Sequence, residues 1–458
     1  MKTIYGNSLN KNSIVIWGTG KLMNKYIHRI DPCLNIRGFC NSYEENWGRI
    51  EFFGKECFSP DDLFAEDFVL VAIISQKEKM DVYKLLDDKG IDYCDLMEAV
   101  NAYKPIWEKT QIELSEKQYD SVDVDRKKIT KFINCHIPYK MCNLACDYCY
   151  IRQSREFENY KMNLHSAEFI AKSLSPKRLG GIAFINFCAE GETMLADGLN
   201  DIIVCLIQEG HYVQIVTNGT IDRAIDDLLS RDTDLKHIFF KFSYHYRELM
   251  RTGKMEMFFE NVRRVRAAGC SVSVELVASD DIIPMIEDIK AVCIKNIGAL
   301  PHLTIPRDNV SKTLKLLTVL DHEQYYEVWK SFDSIMFQFK WDNMNIKRFE
   351  NCMAGEWSFW MDVETGEIKK CLSNPYLDNI YDHIDKPINL EPVKNKCRLP
   401  YCYNCHAYLT LGLIEEVDAP SYYEVRNRTM EDGQNWITNE MKEIFEQKLY
   451  LNNTERKK

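Results

Sequence analysis

Three cysteines in the run Cys142-Asn-Leu-Ala-Cys146-Asp-Tyr-Cys149 carry the clearest chemistry in this sequence. Thiolates are soft ligands for iron-sulfur clusters and zinc, and a cuboidal 4Fe-4S cluster normally takes four of them. Three closely spaced thiolates leave one iron open to a small molecule. The same triplet also suits a zinc knuckle or a disulfide pair. A second set stands in the carboxyl-terminal third: Cys352, Cys371, Cys397, and the CxxC pair Cys402 and Cys405. That set suits another cluster or a structural zinc ribbon.

The elements around the triplet place it on a loop. Lys131-Phe-Ile-Asn-Cys-His-Ile137 reads as a buried strand, so the cysteines follow its carboxyl end, where α/β sheets and barrels bind ligands. A helical stretch near Asn163 to Leu174 leads to the strand Ile182–Phe187, which runs into Cys188-Ala-Glu190-Gly191-Glu192. The strand Val213–Val216 ends in Thr217-Asn218-Gly219-Thr220, and His237–Phe242 ends in Ser243-Tyr244-His245-Tyr246. Two more strand-like runs, Ser271–Val277 and Leu303–Pro306, alternate with helical patterns at Met255 to Ala268 and Ile282 to Lys295. Regular βα alternation predicts a parallel sheet with helices outside. Gly269 and Gly298 mark helix ends.

CxxxCxxC with an aromatic, Tyr148, before the last cysteine resembles the radical S-adenosylmethionine (SAM) superfamily. The resemblance implies a partial (βα)6 TIM-like barrel, placed at 127–337, and a 4Fe-4S cluster on Cys142, Cys146 and Cys149. In that family the open iron chelates SAM, and one electron from the cluster splits the sulfonium to give a 5'-deoxyadenosyl radical. Glu190-Gly191-Glu192 resembles the family's glycine-glycine-glutamate motif; Glu192 aligns with the glutamate that holds the SAM ammonium, and Glu190 replaces a glycine. Gly191 is expected to let backbone approach the ligand. The resemblance also puts Thr217, Asn218 and Ser243 near the ribose or methionine of SAM. Read singly, these three are equally turn and capping residues. Cys188 and His245, at strand ends facing the substrate space, are the candidate catalytic residues, Cys188 as a hydrogen-atom donor.

The carboxyl-terminal set is similar to the auxiliary-cluster extensions called SPASM and twitch. Their opening pattern, a cysteine and then Gly-x-x-x-x-Cys, is met by Cys352, Gly366 and Cys371. Five cysteines fit the one-cluster twitch form, with Cys352, Cys371, Cys402 and Cys405 as ligands of a second 4Fe-4S cluster and Cys397 as a substitute. Trp357 to Val363 with the turn Glu364-Thr-Gly366 reads as a hairpin. This domain is placed at 338–458. Its helix from Asn439 to Tyr450 has a core-facing pattern in Met441, Ile444, Phe445 and Leu449.

The amino-terminal 100 residues read as a separate Rossmann-like α/β domain. Strand Ser13–Trp17, the turn Gly18-Thr-Gly20 and a helix from Lys21 to Ile30 open it; strands Ile36–Cys40, Phe68–Ile74 and Ile91–Leu96 follow, with a helix from Gln76 to Lys89. Met23 stands where a third glycine is usual, and Asn41 where an acidic ribose ligand is usual. A docking or degenerate domain is favoured over a phosphorylated-substrate or NAD site. A charged helical linker spans 101–126, with Tyr103 and Trp107 set to pack.

The chain has 458 residues, 17 cysteines and a net charge of −11, enough length for at least two domains. Acidity argues against nucleic acid, apart from the short basic tail Arg456–Lys458. Met1 to Asn12 lack an apolar segment of signal length, no later run crosses a bilayer, and the cysteine content suggests a reducing cytoplasm. Cys33, Cys40, Cys57, Cys94, Cys135, Cys205, Cys270 and Cys293 read as small buried hydrophobes. The expectation is an enzyme that takes electrons from flavodoxin or ferredoxin, binds SAM, and oxidises or epimerises a small or sugar-like substrate. Ribosomal-peptide modification and a non-catalytic metal-stapled protein are the alternatives.

Overall fold

The computed structural model describes residues 13–30, 34–50, 53–149, 162–308, 315–371, 376–402 and 404–454. Met1 to Asn12, Cys33 and the basic tail Arg456–Lys458 lie outside the described residues. The chain divides into two compact units, Met1–Leu114 and Ser115–Lys458.

The first unit is built on five parallel strands: β1 (Ser13–Trp17), β2 (Ile36–Cys40), β3 (Cys57–Phe58), β4 (Asp67–Val71) and β5 (Asp92–Asp95), in spatial order β3-β2-β1-β4-β5. Two-residue β3 is too short to show a period in sequence. Ile14, Ile16, Phe39 and Leu70 from the sheet pack with Met23 and Ile27 into one core. A cavity of about 870 Å³ opens at the strand ends between Gly18, Gly20, Asn41 and Ser75. Asn41 is already engaged there: its Nδ2 donates to Thr19 Oγ1 and its Oδ1 accepts from the Tyr43 amide.

The second unit carries a nine-stranded sheet in the order β11-β10-β9-β8-β7-β6-β12-β13-β14. Six parallel strands form its barrel part: β6 (Ile129–Ile137), β7 (Ile182–Ala189), β8 (Tyr212–Thr217), β9 (Ile238–Tyr244), β10 (Ser271–Val277) and β11 (His302–Thr304). Helices such as Leu199–Gln208 and Met255–Ala267 fill the crossovers. The helix expected from Ile282 begins at Ile286, because Pro284 cannot donate within it and a 3-10 turn, Asp280–Met285, comes first.

The carboxyl-terminal strands extend this sheet. β12 (Ser358–Asp362) pairs in parallel with β6, and β13 (Glu367–Lys369) and β14 (Tyr376–Asn379) follow antiparallel. Gly366 makes the β12–β13 turn at φ +74°; a Cβ there would lie 2.3 Å from the Tyr381 ring. The carboxyl-terminal chain also fills the barrel interior. Phe132, Phe184 and Phe239 pack with Tyr422, Met441, Phe445 and Leu449. Asn134, Asn186 and Gln214, level on β6, β7 and β8, form a hydrogen-bonded chain that ends on the Tyr408 and Tyr422 hydroxyls. The three amides are thereby matched at both ends, which offsets their loss of water.

Candidate functional site

The loop after β6 carries the three cysteines to the mouth of the barrel. There Cys142, Cys146 and Cys149 line a cavity of about 520 Å³ together with the loops that follow β7, β8, β9 and β11. Tyr148, Cys188, Glu192, Thr217, Asn218, Ser243 and His245 line the same cavity. All the residues singled out on the SAM side of the sequence therefore meet in one place. The reason is topological: parallel strands put every carboxyl end on one face.

Two N–H groups point at the Cys142 sulfur, the Leu144 amide at 3.5 Å and Asn218 Nδ2 at 3.8 Å. Cys146 is 8% exposed. Burial first, then the charges of Cys142, Glu248 and Cys149, push its thiol up to about 12. A thiolate there needs a metal charge, which would deprotonate it outright. The donor set thus fits a cluster ligated by these three. Among the described residues, no group of three His, Cys, Asp or Glu side chains is drawn together closely enough for a single ion.

The loop is held from two sides. Glu248, on the helix Tyr246–Arg251, accepts the Ala145 amide at 2.7 Å. Asn218 Nδ2 donates to Asn143 Oδ1 at 2.8 Å, and Asn143 Nδ2 donates to Thr220 Oγ1 at 2.8 Å. Asn143, Thr220 and Glu248, which hold the loop, are residues the sequence reading passed over. Asn143 and Thr220 lay inside motifs already noted, but their pairing spans 77 residues and has no local signal.

The two motif carboxylates have different surroundings. Glu190 sits 3.2 Å from His136 Nε2 and 3.9 Å from the Lys140 ammonium, so side chains of the chain already face it. Glu192, 3% exposed, has only neutral donors among the described residues: Thr217 Oγ1 at 2.6 Å, the Asn218 amide at 2.7 Å and the Met194 amide at 3.0 Å. Burial raises its carboxyl, opposed by those hydrogen bonds. A carboxylate offers about four lone-pair sites, so one remains for an incoming ammonium. Glu192→Gln should weaken SAM binding by at least about tenfold, the value of a charged hydrogen bond. Equilibrium binding of SAM to the reconstituted protein checks this, and unchanged affinity would transfer the role to Glu190.

Gly191 lines the same cavity and also lies against the cysteine loop. Successive amides of Glu190, Gly191 and Glu192 donate to the carbonyls of Ile137, Tyr139 and Met141. A Cβ on Gly191 would lie 2.1 Å from the Met141 carbonyl oxygen. Its missing side chain thus lets the motif lie against the cysteine loop.

His245 Nδ1 is 2.8 Å from the Tyr148 hydroxyl. Burial lowers the imidazole to about 4 and raises the phenol, so the ring is neutral and Tyr148 donates to it. Cys188 lies at the end of β7 with Lys241 as its nearest favourable charge.

The carboxyl-terminal cysteines also gather. Burial raises the Cys402 thiol, and the charges of Cys405, Cys371, Cys352 and Cys397 add to this in that order. Cys397 is thereby part of the group. Cys352 is held by paired backbone bonds with Lys394, and the Cys405 amide donates to the Cys402 carbonyl. Burial raises the Cys405 thiol, and the charges of Lys340, Arg307 and Arg348 oppose that rise. This donor set too fits an iron-sulfur cluster.

Residues 136–285 match the family model described as the Radical SAM superfamily. No curated protein sequence matches the chain. Among solved structures, SuiB of Streptococcus suis bound to S-adenosylmethionine is 11% identical with a TM-score of 0.39, covering 67% of this chain and 74% of that one. The structure described as native anSMEcpe with bound AdoMet is 12% identical with a TM-score of 0.40, covering 71% and 97%. Methylornithine synthase (PylB) is 14% identical with a TM-score of 0.28, covering 43% and 59%. Among the described residues no helix is long and apolar enough to cross a membrane.

Proposed function

We propose that this chain, which belongs to the radical SAM superfamily through residues 136–285, oxidises or epimerises a small or sugar-like substrate. One observation carries the reading. The cavity of the SAM-side residues shares Thr304, Ile305 and Arg307 with a small chamber walled by Cys402 and Cys405. A substrate between them would touch both thiol sets. The main cavity, about 520 Å³, lies in the range used for small ligands and must hold SAM as well, which favours a compact substrate over a long peptide.

When bound, SAM and the cluster on Cys142, Cys146 and Cys149 supply a 5'-deoxyadenosyl radical, and a cluster on Cys352, Cys371, Cys402 and Cys405 supplies an electron acceptor. Glu192 would hold the SAM ammonium, with Thr217, Asn218 and Ser243 along the rest of the molecule. Tyr148 and His245 brace the cysteine loop against the end of β9. Flavodoxin or ferredoxin would deliver the first electron.

Oxidation removes two hydrogens from the substrate, one as an atom and one as a proton, and leaves one electron for an acceptor. Epimerisation is the second reading, favoured by Cys188 on the cavity wall: its S–H would return a hydrogen atom to the substrate carbon, and the thiyl radical left on sulfur would regain one electron from reduced flavodoxin and one proton from solvent. Incubation in D2O with SAM, reduced flavodoxin and a panel of sugars and sugar acids separates them. Oxidation gives 5'-deoxyadenosine with a product lighter by two hydrogens. Epimerisation gives a product carrying one deuterium, and Cys188→Ala abolishes that label. If turnover occurs only with a peptide, both readings are wrong.

A further inference from the structure

The first unit holds a cavity of its own, about 870 Å³, beyond the carboxyl ends of β1, β2 and β4. The strand order β3-β2-β1-β4-β5 reverses beside β1, and open α/β sheets bind ligands in the crevice at such a reversal. The walls are fixed in advance. Asn41, 7% exposed, ties the end of β2 to the turn after β1 through Thr19 Oγ1 at 3.0 Å, and its carbonyl accepts Trp47 Nε1 at 2.7 Å.

The apolar part of the wall has two sides. Tyr43 follows β2 and Ile74 follows β4, the strands that flank β1, and both line the cavity while 59% and 73% exposed. Large apolar side chains left in water on two sides of one cavity suit a planar ring that offers an apolar face to each. A sugar alone would turn hydroxyls toward one of them. Gly20 keeps the space open: its φ of −86° is available to any residue, and a Cβ there would meet no atom within 4 Å. The fold itself does not require a glycine at this wall, whereas a ligand lying against the backbone would.

The charged part is unbalanced. Lys21 is the one cation on the wall among the described residues, against two carboxylates, Glu78 and Asp81. Glu78 and Asp81 stand three residues apart on the helix Gln76–Lys89, and so share a face. None of the three makes an ion pair among the described residues. Such a wall disfavours a pyrophosphate and suits hydroxyl groups, which donate to carboxylates. Asn41 stands where a dinucleotide site has an acidic ribose ligand, and both ends of its amide are already engaged.

We propose that this cavity binds a nucleoside, with its base between Tyr43 and Ile74 and its ribose hydroxyls donating to Glu78 and Asp81. The site lies wholly within the first unit and does not depend on the reaction in the second.

The test uses the full chain, reconstituted with iron and sulfide and saturated with SAM, so that nucleosides are kept out of the barrel. Uridine, cytidine, guanosine and adenosine are the probes, and equilibrium dialysis gives the affinity of each. At least one should bind with a Kd below about 1 mM. Tyr43→Ala should weaken it about fivefold or more, the low end of base–aromatic stacking. The matching 2',3'-dideoxynucleoside should bind about tenfold more weakly, the value of a hydrogen bond to a charged group. The double variant Glu78→Gln, Asp81→Asn should erase that difference. Gly20→Val should abolish binding at an unchanged melting temperature; if it fails to fold, Tyr43→Ala and the dideoxy comparison still decide. The proposal is overturned if no nucleoside binds below about 1 mM, or if folded Gly20→Val or Tyr43→Ala binds as the native protein does. Ribose competing as well as the nucleoside would also overturn it, because the base would then contribute nothing. So would AMP or NAD bound more than about tenfold tighter than adenosine, since phosphate would then be the group recognised.

Discussion

Gly191→Ala is expected to lower 5'-deoxyadenosine formation about 100-fold, although the substitution adds one methyl group. The added Cβ would lie 2.1 Å from Met141 O and 2.6 Å from Met141 C, both backbone atoms of the cysteine loop. No flexible side chain can turn aside, so the loop must move. The Gly191 amide bond to Tyr139 O, at 2.7 Å, and the Glu192 bond to Met141 O, at 2.9 Å, would stretch with it. Cys142 follows Met141 directly. A displacement of about 1 Å at a reacting group costs about 100-fold in rate, and overpacking costs about 1–3 kcal/mol of stability. Anaerobic assay of SAM cleavage at matched iron content measures the effect. A rate within twofold of native would mean that the loop tolerates the shift and that Gly191 has another role.

Glu275→Gln is expected to destabilise the second unit by about 3–5 kcal/mol, the cost of stranding buried charge when one partner is removed. Glu275 is 3% exposed, and it takes Lys241 Nζ at 3.2 Å on one oxygen and Arg426 Nη1 on the other. Arg426, 1% exposed, also touches Met336 Sδ. The neutral amide would leave two cations facing each other, with burial already lowering the arginine to about 9. Urea denaturation followed by tryptophan fluorescence checks the size of the loss. The triple change Lys241→Met, Glu275→Leu, Arg426→Met should recover most of it, because apolar groups of similar volume replace a buried ion network at little cost. A Glu275→Gln loss under about 1 kcal/mol would show that water reaches the network and screens it.

These two predictions also mark what the sequence could and could not disclose. The cysteine triplet, the strand ends and the six βα units were legible because each is local: a spacing, an apolar run, a glycine after a helix. The meeting of Glu192, Thr217 and Asn218 with the triplet was implied by the family resemblance, and parallel strands, which put every carboxyl end on one face, account for it. Gly191 was legible as a glycine position, but its close approach to Met141 was not, since that neighbour lies on the preceding strand's loop. The different surroundings of Glu190 and Glu192 depend on His136 and Lys140, whose approach is likewise not local. Glu275 and Arg426 are 151 residues apart, and a buried carboxylate in the alternating run Ser271–Val277 gives no sign of its partner. The continuation of the barrel sheet into β12 was hidden for the same reason. A strand's pattern shows that it is buried, not which edge it joins.

The central claim is that this chain holds two independent iron-sulfur clusters, one open to SAM and one fully ligated by protein. Iron and acid-labile sulfide per chain, measured after anaerobic reconstitution, test it most directly. The native protein is compared with the triple variant Cys142→Ala, Cys146→Ala, Cys149→Ala. With four irons in each cubane, the account predicts about eight irons per chain falling to about four. About four falling to none, with zinc retained, would contradict it; the carboxyl-terminal cysteines would then be structural, and the chain would have no second cluster to accept an electron.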